Sequence, residues 1–170
     1  MVDFFKAKCY KHPGTNCQKI LKSKKFGICD DASYPHSYVD AGNHASWVVP
    51  VYNDDELAVL FIPVDKSLNI LKGDGKTEST CDAILTYENN IVFIELKESD
   101  PPWIAKAIEQ LKITIGIFDG SRGLHFYRKR RAFASNKRAA GYAYNLQEEM
   151  DDFRRITGVR LIIEASGIII

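Results

Sequence analysis

Asp82, Glu95 and Lys97 are the residues of this chain whose types and spacing suit chemistry. They lie in the run Cys-Asp-Ala-Ile-Leu-Thr-Tyr-Glu-Asn-Asn-Ile-Val-Phe-Ile-Glu-Leu-Lys at 81–97. Two apolar segments flank Asn89-Asn90, an asparagine pair suited to a tight hairpin turn. Closing the hairpin symmetrically on that pair sets Tyr87 opposite Val92, Ile84 opposite Glu95 and Asp82 opposite Lys97. Cross-strand partners share a face, as do residues two apart on one strand. Two carboxylates and a lysine therefore converge on one face near the end of the hairpin. On strands otherwise rich in Ile, Val and Phe, such carboxylates are costly unless something cationic pairs with them. A divalent metal between them is the natural candidate.

The elements needed to hold this group can be read around it. Residues 57–64 form an apolar run of strand length, and 68–71 reads as a further short strand before the turn at Gly73-Asp74-Gly75-Lys76. Trp47-Val48-Val49-Pro50-Val51 reads as extended, with Pro50 favouring a sheet edge. After the hairpin, Pro101-Pro102 opens a helix of about 102–118. Ile104, Ala107, Ile108, Leu111 and Ile115 make its buried stripe. Gln110 lies at the margin of that stripe, placed to reach toward the sheet. Asp119-Gly120-Ser121-Arg122-Gly123 reads as a turn-rich loop, and 124–127 and 132–134 as one or two strands. A helix at 146–156 turns Leu146, Met150, Phe153 and Ile156 inward and ends at Gly158. Residues 159–163 form a last buried strand. The order is that of a mixed α/β domain.

The order of an Asp, a strand with Glu-x-Lys and a helix with Gln resembles the PD-(D/E)xK nuclease superfamily, the restriction-endonuclease-like fold. The matching residues are Asp82, Glu95-Leu96-Lys97 and Gln110-Leu111, and the resemblance covers about residues 57–135. It implies a mixed central sheet flanked by helices and a metal-dependent DNA endonuclease. Asp82, Glu95 and the Leu96 carbonyl would hold Mg²⁺ or Mn²⁺, Lys97 would orient the attacking water, and Gln110 would support the pocket. Many such nucleases act as homodimers so that both strands are cut. Members often carry Pro before the Asp, where this chain has Cys81. Many also draw an acid from an upstream helix, for which Asp54, Asp55 and Glu56 are the candidates by position. The alternatives are an inactive nucleic-acid-binding or protein-interaction domain on the same fold, and an ordinary Asp82–Lys97 ion pair with Glu95 solvated.

Further groups carry weaker signals. Cys9, His12, Cys17 and Cys29 are all zinc-ligand types, with His36 and His44 as further candidates, but they lack a paired Cys-x-x-Cys knuckle. Gly73-Asp74-Gly75-Lys76-Thr77 lacks the spacing of a phosphate loop. Phe126, Tyr127 and Phe133 interleave with Arg128, Lys129, Arg130 and Arg131, and Lys137 and Arg138 follow. That mixture suits phosphate contacts with base stacking, and equally a strand with one buried face.

The whole-chain balance is neutral: 170 residues carry a net charge of only +1. Positive charge is nonetheless gathered, with seven lysines and no acid in 6–25, and seven arginines and lysines and no acid in 122–138. The two runs either gather positive charge on one part of the surface or are two solvated loops; DNA is the partner that the resemblance implies. The length suits one domain over 1–170, with an irregular extension or wrap at 1–50 and a nuclease-like core at 57–165. The N-terminal residues lack the apolar core of a signal peptide, and the closing apolar run, which includes Glu164, is too short to span a bilayer. The expectation is a cytoplasmic protein with no membrane partner and four reduced cysteines.

Overall fold

The structure is a computed structural model that describes residues 2–6, 9, 17–98, 102–137, 146–163 and 166–170. Its strands are β1 (Lys19–Leu21), β2 (Lys25–Cys29), β3 (Tyr38–Asp40), β4 (Val49–Tyr52), β5 (Val59–Pro63), β6 (Ala83–Tyr87), β7 (Asn90–Lys97), β8 (Lys129–Asn136), β9 (Arg160–Ile163) and β10 (Ile168–Ile169). Two α-helices, α1 (Ile104–Arg122) and α2 (Gln147–Thr157), connect β7 to β8 and β8 to β9. The strands make a six-stranded sheet, β1-β5-β6-β7-β8-β9, and a four-stranded sheet, β10-β4-β2-β3. The larger sheet is antiparallel from β1 to β7 and parallel from β7 to β9. Each parallel pair is joined through a helix, because parallel neighbours need a long crossover.

Two apolar cores lie on the two faces of the larger sheet. Ile84, Ile91, Phe93, Ala132 and Ala134 meet Ala107, Leu111, Ile115 and Phe118 of α1 and Phe153 of α2. On the other face, Leu85, Val92, Ile94, Leu96 and Phe133 meet Phe26, Ile28, Val49, Val51 and Ile168 of the smaller sheet. This covering on both faces is why β6 and β7 read as near-continuous apolar runs rather than alternating ones. Against such runs a buried Glu or Asp stands out.

Residues 1–50, expected to be an irregular extension or wrap, instead supply strands to both sheets from their described part. β1 pairs with β5 at the edge of the larger sheet, and β2 forms the middle of the smaller one. Lys19, Lys22, Lys24 and Lys25, which obscure these strands, are exposed, and Lys19 lies on the edge strand β1. Pro50 is not on an edge strand: β4 lies between β2 and β10, and β10 pairs with it only from Val51 onward. Residues 68–71 form no strand beyond one isolated bridge, Leu71 to Thr77, although Leu68 and Ile70 are buried in the helix-side core.

The helices also depart from expectation at their ends. α1 starts after Pro102, with Trp103 as its N-cap, and runs through the expected loop at 119–122. Phe118 is fully buried against Phe4 and Phe93, which holds that last turn onto the sheet. Asp119 Oδ1 then accepts from the Leu124 N–H at 2.7 Å, and Gly123, at φ 81°, ends the helix. Residues 124–126 form a 3₁₀ turn rather than a strand. In α2, Phe153 is inward as expected, but Ile156 is 59% exposed. Gly158 caps α2 in the left-handed conformation at φ 69°.

The smaller sheet contains one close approach that only glycine permits. A Cβ placed on Gly27 would lie 2.0 Å from Cγ of Trp47, whose indole N–H donates to Asp40 at 2.9 Å. Gly27→Ala must displace a ring that is held in place, so we expect a loss of about 1–3 kcal/mol. At the usual scaling for this size, that is a thermal midpoint lower by roughly 3–10 °C. An unchanged midpoint would show that the indole moves freely.

Candidate functional site

The hairpin of β6 and β7 closes through Glu88-Asn89, with Tyr87 facing Asn90, rather than through Asn89-Asn90. Glu88 takes the positive φ of 47° that the tight turn needs. Asn90 is drawn into β7, where it also faces Lys129 of β8. Ile84 therefore faces Phe93, not Glu95. The register moves by an even step, so the faces are kept, and Asp82, Glu95 and Lys97 still look toward α1.

Asp82 precedes β6 and is fixed by its own backbone. Its carbonyl accepts from the Val64 N–H at 2.8 Å and from Ser37 Oγ at 2.9 Å. Its carboxylate is thereby brought across to β7, where Oδ2 accepts from the Leu96 N–H at 2.7 Å. Glu95 is fully buried. Its Oε1 accepts from Lys97 Nζ in a direct ion pair, while its Oε2 has no hydrogen-bond partner. Gln110 does turn inward from α1: Oε1 accepts from Lys97 Nζ at 2.9 Å, and Nε2 donates to the Thr80 carbonyl at 2.9 Å. Lys97 pairs with Glu95 and Gln110 rather than standing opposite Asp82, so the simple Asp82–Lys97 ion pair is not the arrangement here.

The electrostatics follow from this burial. Removal from water pushes the Asp82 carboxyl well above the usual range, against the lowering effect of the Leu96 N–H, and the charges of Asp30 and Asp65 push it further. Desolvation also raises Glu95, with Asp82 adding to it and Lys97 opposing. One lysine does not offset the burial of two neighbouring carboxylates.

Several members of this site were not found from the sequence. Asp30 and Asp65 act electrostatically on Asp82, whereas Asp54, Asp55 and Glu56 lie exposed in the turn between β4 and β5. Asp30 directly follows β2 and Asp65 follows β5 by two residues, so the available signal was an acid just past an apolar run of strand length. Thr114, one turn after Gln110, donates to the Gln110 carbonyl at 2.9 Å and accepts from the Cys81 N–H at 2.7 Å. It ties the helix to the segment carrying Asp82. Cys81 is fully buried in the helix-side core.

The arrangement fits a divalent cation. Glu95 Oε2 is a buried acceptor with no donor, and two carboxylates with raised proton affinity lie together. Among the described residues, Asp82 and Glu95 belong to no group of three acid, histidine or cysteine ligand atoms that all lie within 4.8 Å of one another. That suits Mg²⁺, which takes one or two carboxylates and completes its shell from water and phosphate oxygens.

The candidate zinc set is not assembled as expected. Cys9 and Cys17 are joined in a disulfide, and disulfide sulfurs are not thiolate ligands. This also corrects the expectation of four reduced cysteines; Cys29 and Cys81 are free. Cys29 lies in β2 with its Sγ 3.5 Å from Ser46 Oγ, and His36 is the histidine beside the two joined sulfurs. His12 lies outside the described residues.

The basic residues divide. Arg131 is turned inward, donating to the Ile169 carbonyl at 2.8 Å and to Tyr87 Oη. Lys137 donates to the Ala45 carbonyl at 2.9 Å and lies 3.6 Å from Glu98. Arg128 and Lys129 are exposed and Arg130 half-buried at the start of β8, and Arg138 lies outside the described residues. Phe133 is buried, Tyr127 packs on Phe118, and Phe126 is 69% exposed.

Among the described residues no helix is long and apolar enough to cross a membrane. Comparison with protein-family models, with curated proteins and with solved structures finds no match to this chain.

Proposed function

We propose that this protein is a divalent-metal-dependent nuclease, hydrolysing DNA phosphodiester bonds on a restriction-endonuclease-like core. The observation that carries the reading is the convergence of Asp82, Glu95, Lys97 and Gln110 between the hairpin and α1, with Glu95 Oε2 left as a buried acceptor without a donor. Asp82 and Glu95 would hold Mg²⁺ or Mn²⁺, with the Leu96 carbonyl as a third ligand. A bound divalent ion there supplies Lewis-acid stabilisation of phosphate charge and a more acidic water. Lys97 Nζ, fixed between Glu95 and Gln110, orients that water and stabilises charge developing on the phosphate. Gln110 holds Lys97 in place through Oε1. A homodimer that cuts both strands and a cytoplasmic setting belong to the same proposal.

A second reading has one observation in its favour: Lys97 already occupies Glu95 Oε1 as its counter-ion. That is what a non-catalytic nucleic-acid-binding or protein-interaction domain on the same fold would retain. Titration calorimetry separates the two. The expected result is Mg²⁺ or Mn²⁺ binding by the native protein that Asp82→Asn removes, at a thermal midpoint that is not lowered. No binding, with DNA present or absent, would move the non-catalytic reading to first place.

A further inference from the structure

A cleft at the far end of the larger sheet is lined by Arg128 and Arg130 from β8 and its approach, Arg154 from α2, Arg160 from β9, and Gly158 between them. Its volume is about 310 Å³, and no acid lines it. Among the described residues, the arginines that pair with carboxylates are Arg122 and Arg155, neither of which belongs to this group. Arg130 is oriented by its Nε, which donates to the Tyr127 carbonyl at 3.0 Å, leaving the end of its guanidinium over Gly158. The C-terminal end of α2 offers about half a negative charge, too little for four guanidiniums. Four arginines with no carboxylate partner among the described residues favour an anion there, and planar guanidiniums match phosphate oxygens in pairs.

We infer that this cleft binds the phosphates of a nucleic-acid strand. An exposed aromatic stands nearby in the chain: Phe126 is 69% exposed, packs tilted against His125 at 4.0 Å between ring centroids, and stands two residues before Arg128. A base laid on Phe126 would place its phosphate toward the arginines, which a free inorganic anion would not exploit. The site is separate from the carboxylate pocket. Arg130 pairs in register with Ile91, four residues along β7 from Glu95, which is about 13 Å of strand. Nucleic acid held here would be gripped away from the bond being cut. The inference rests on the proposed function only in taking nucleic acid as the source of the phosphates.

The test is fluorescence anisotropy with a fluorescein-labelled single-stranded oligonucleotide, in EDTA so that the carboxylate pocket plays no part. Native protein should bind, with log affinity falling against log salt at a slope of about −3 for four phosphate contacts. The double variant R154A/R160A, at two exposed positions, should bind on the order of tenfold more weakly with about half that slope. Phe126→Ala should weaken binding several-fold without changing the slope. The inference is overturned if native protein does not bind, or if R154A/R160A binds with native affinity and slope. It is also overturned if tripolyphosphate of equal charge binds as tightly as the oligonucleotide, which would make this a free-anion site. Because EDTA is present throughout, a negative result leaves the metal-binding test unaffected, and the converse also holds.

Discussion

Glu95→Gln is expected to abolish divalent-cation binding and cleavage while leaving the metal-free protein more stable than the native chain at neutral and alkaline pH. Glu95 is fully buried, and desolvation raises its proton affinity despite Lys97. A carboxyl whose folded value lies above its unfolded value contributes stability that is fully present below the unfolded value. That contribution is lost as pH rises through the raised folded value. The native metal-free protein should therefore weaken on going from about pH 4.5 upward, relative to Glu95→Gln, by at most about 1.4 kcal/mol per pH unit. Gln keeps an oxygen for Lys97 but does not titrate. Denaturant melts of both proteins from pH 4 to 9 read the difference directly. Adding Mg²⁺ should recover the native protein at high pH and do nothing for the variant. Parallel stability curves would mean that Glu95 is not the strained group described here, and metal binding retained by Glu95→Gln would remove it as a ligand.

Lys97→Ala is expected to lower the single-turnover cleavage rate by roughly 10²–10⁴-fold, the usual effect of removing a positioned proton-transfer or charge-stabilising group. Nucleic-acid affinity should hardly change, because Lys97 is one half-buried charge and the arginine cleft lies elsewhere. The fold should survive at a moderate cost. Gln110 Oε1 loses its donor, and Glu95 loses its cation but can take a proton, so a loss of about 1–3 kcal/mol is expected. A variant that cuts as fast as the native protein would remove Lys97 from the chemistry. A collapsed thermal midpoint, in a protein that never cuts, would make the lysine a structural counter-ion.

The core of the site was legible in the sequence because strand faces depend only on parity. The hairpin closes on a different pair of residues than Asn89-Asn90 suggests, yet a two-residue step leaves Asp82, Glu95 and Lys97 on one face. Gln110 was legible for a similar reason, since helical spacing put it beside a buried stripe. Asp30 and Asp65 were not, because they reach the pocket from the ends of strands distant in sequence, and no local period links them to Asp82. The first fifty residues hid three strands, β1, β2 and β3, behind lysines, Gly and Pro, whereas the extended run at 47–51 does carry β4. β10 was hidden by its length of two residues. The Cys9–Cys17 bond depends on proximity in space, and the number of cysteines does not choose a pairing.

The pairing of β10 with β4 carries a consequence for the order in which the molecule assembles. Ile168 and Ile169 lie beside Val51 and Tyr52, more than a hundred positions earlier in the chain. On a chain emerging from the ribosome, β2, β3 and β4 can pair with one another long before their last neighbour exists. Until then one side of β4 is an open edge bearing unpaired N–H and C=O groups and the apolar Val49 and Val51. Such an edge invites pairing with other chains. During synthesis the smaller sheet is therefore a vulnerable part of the molecule until residues 168 and 169 have been made.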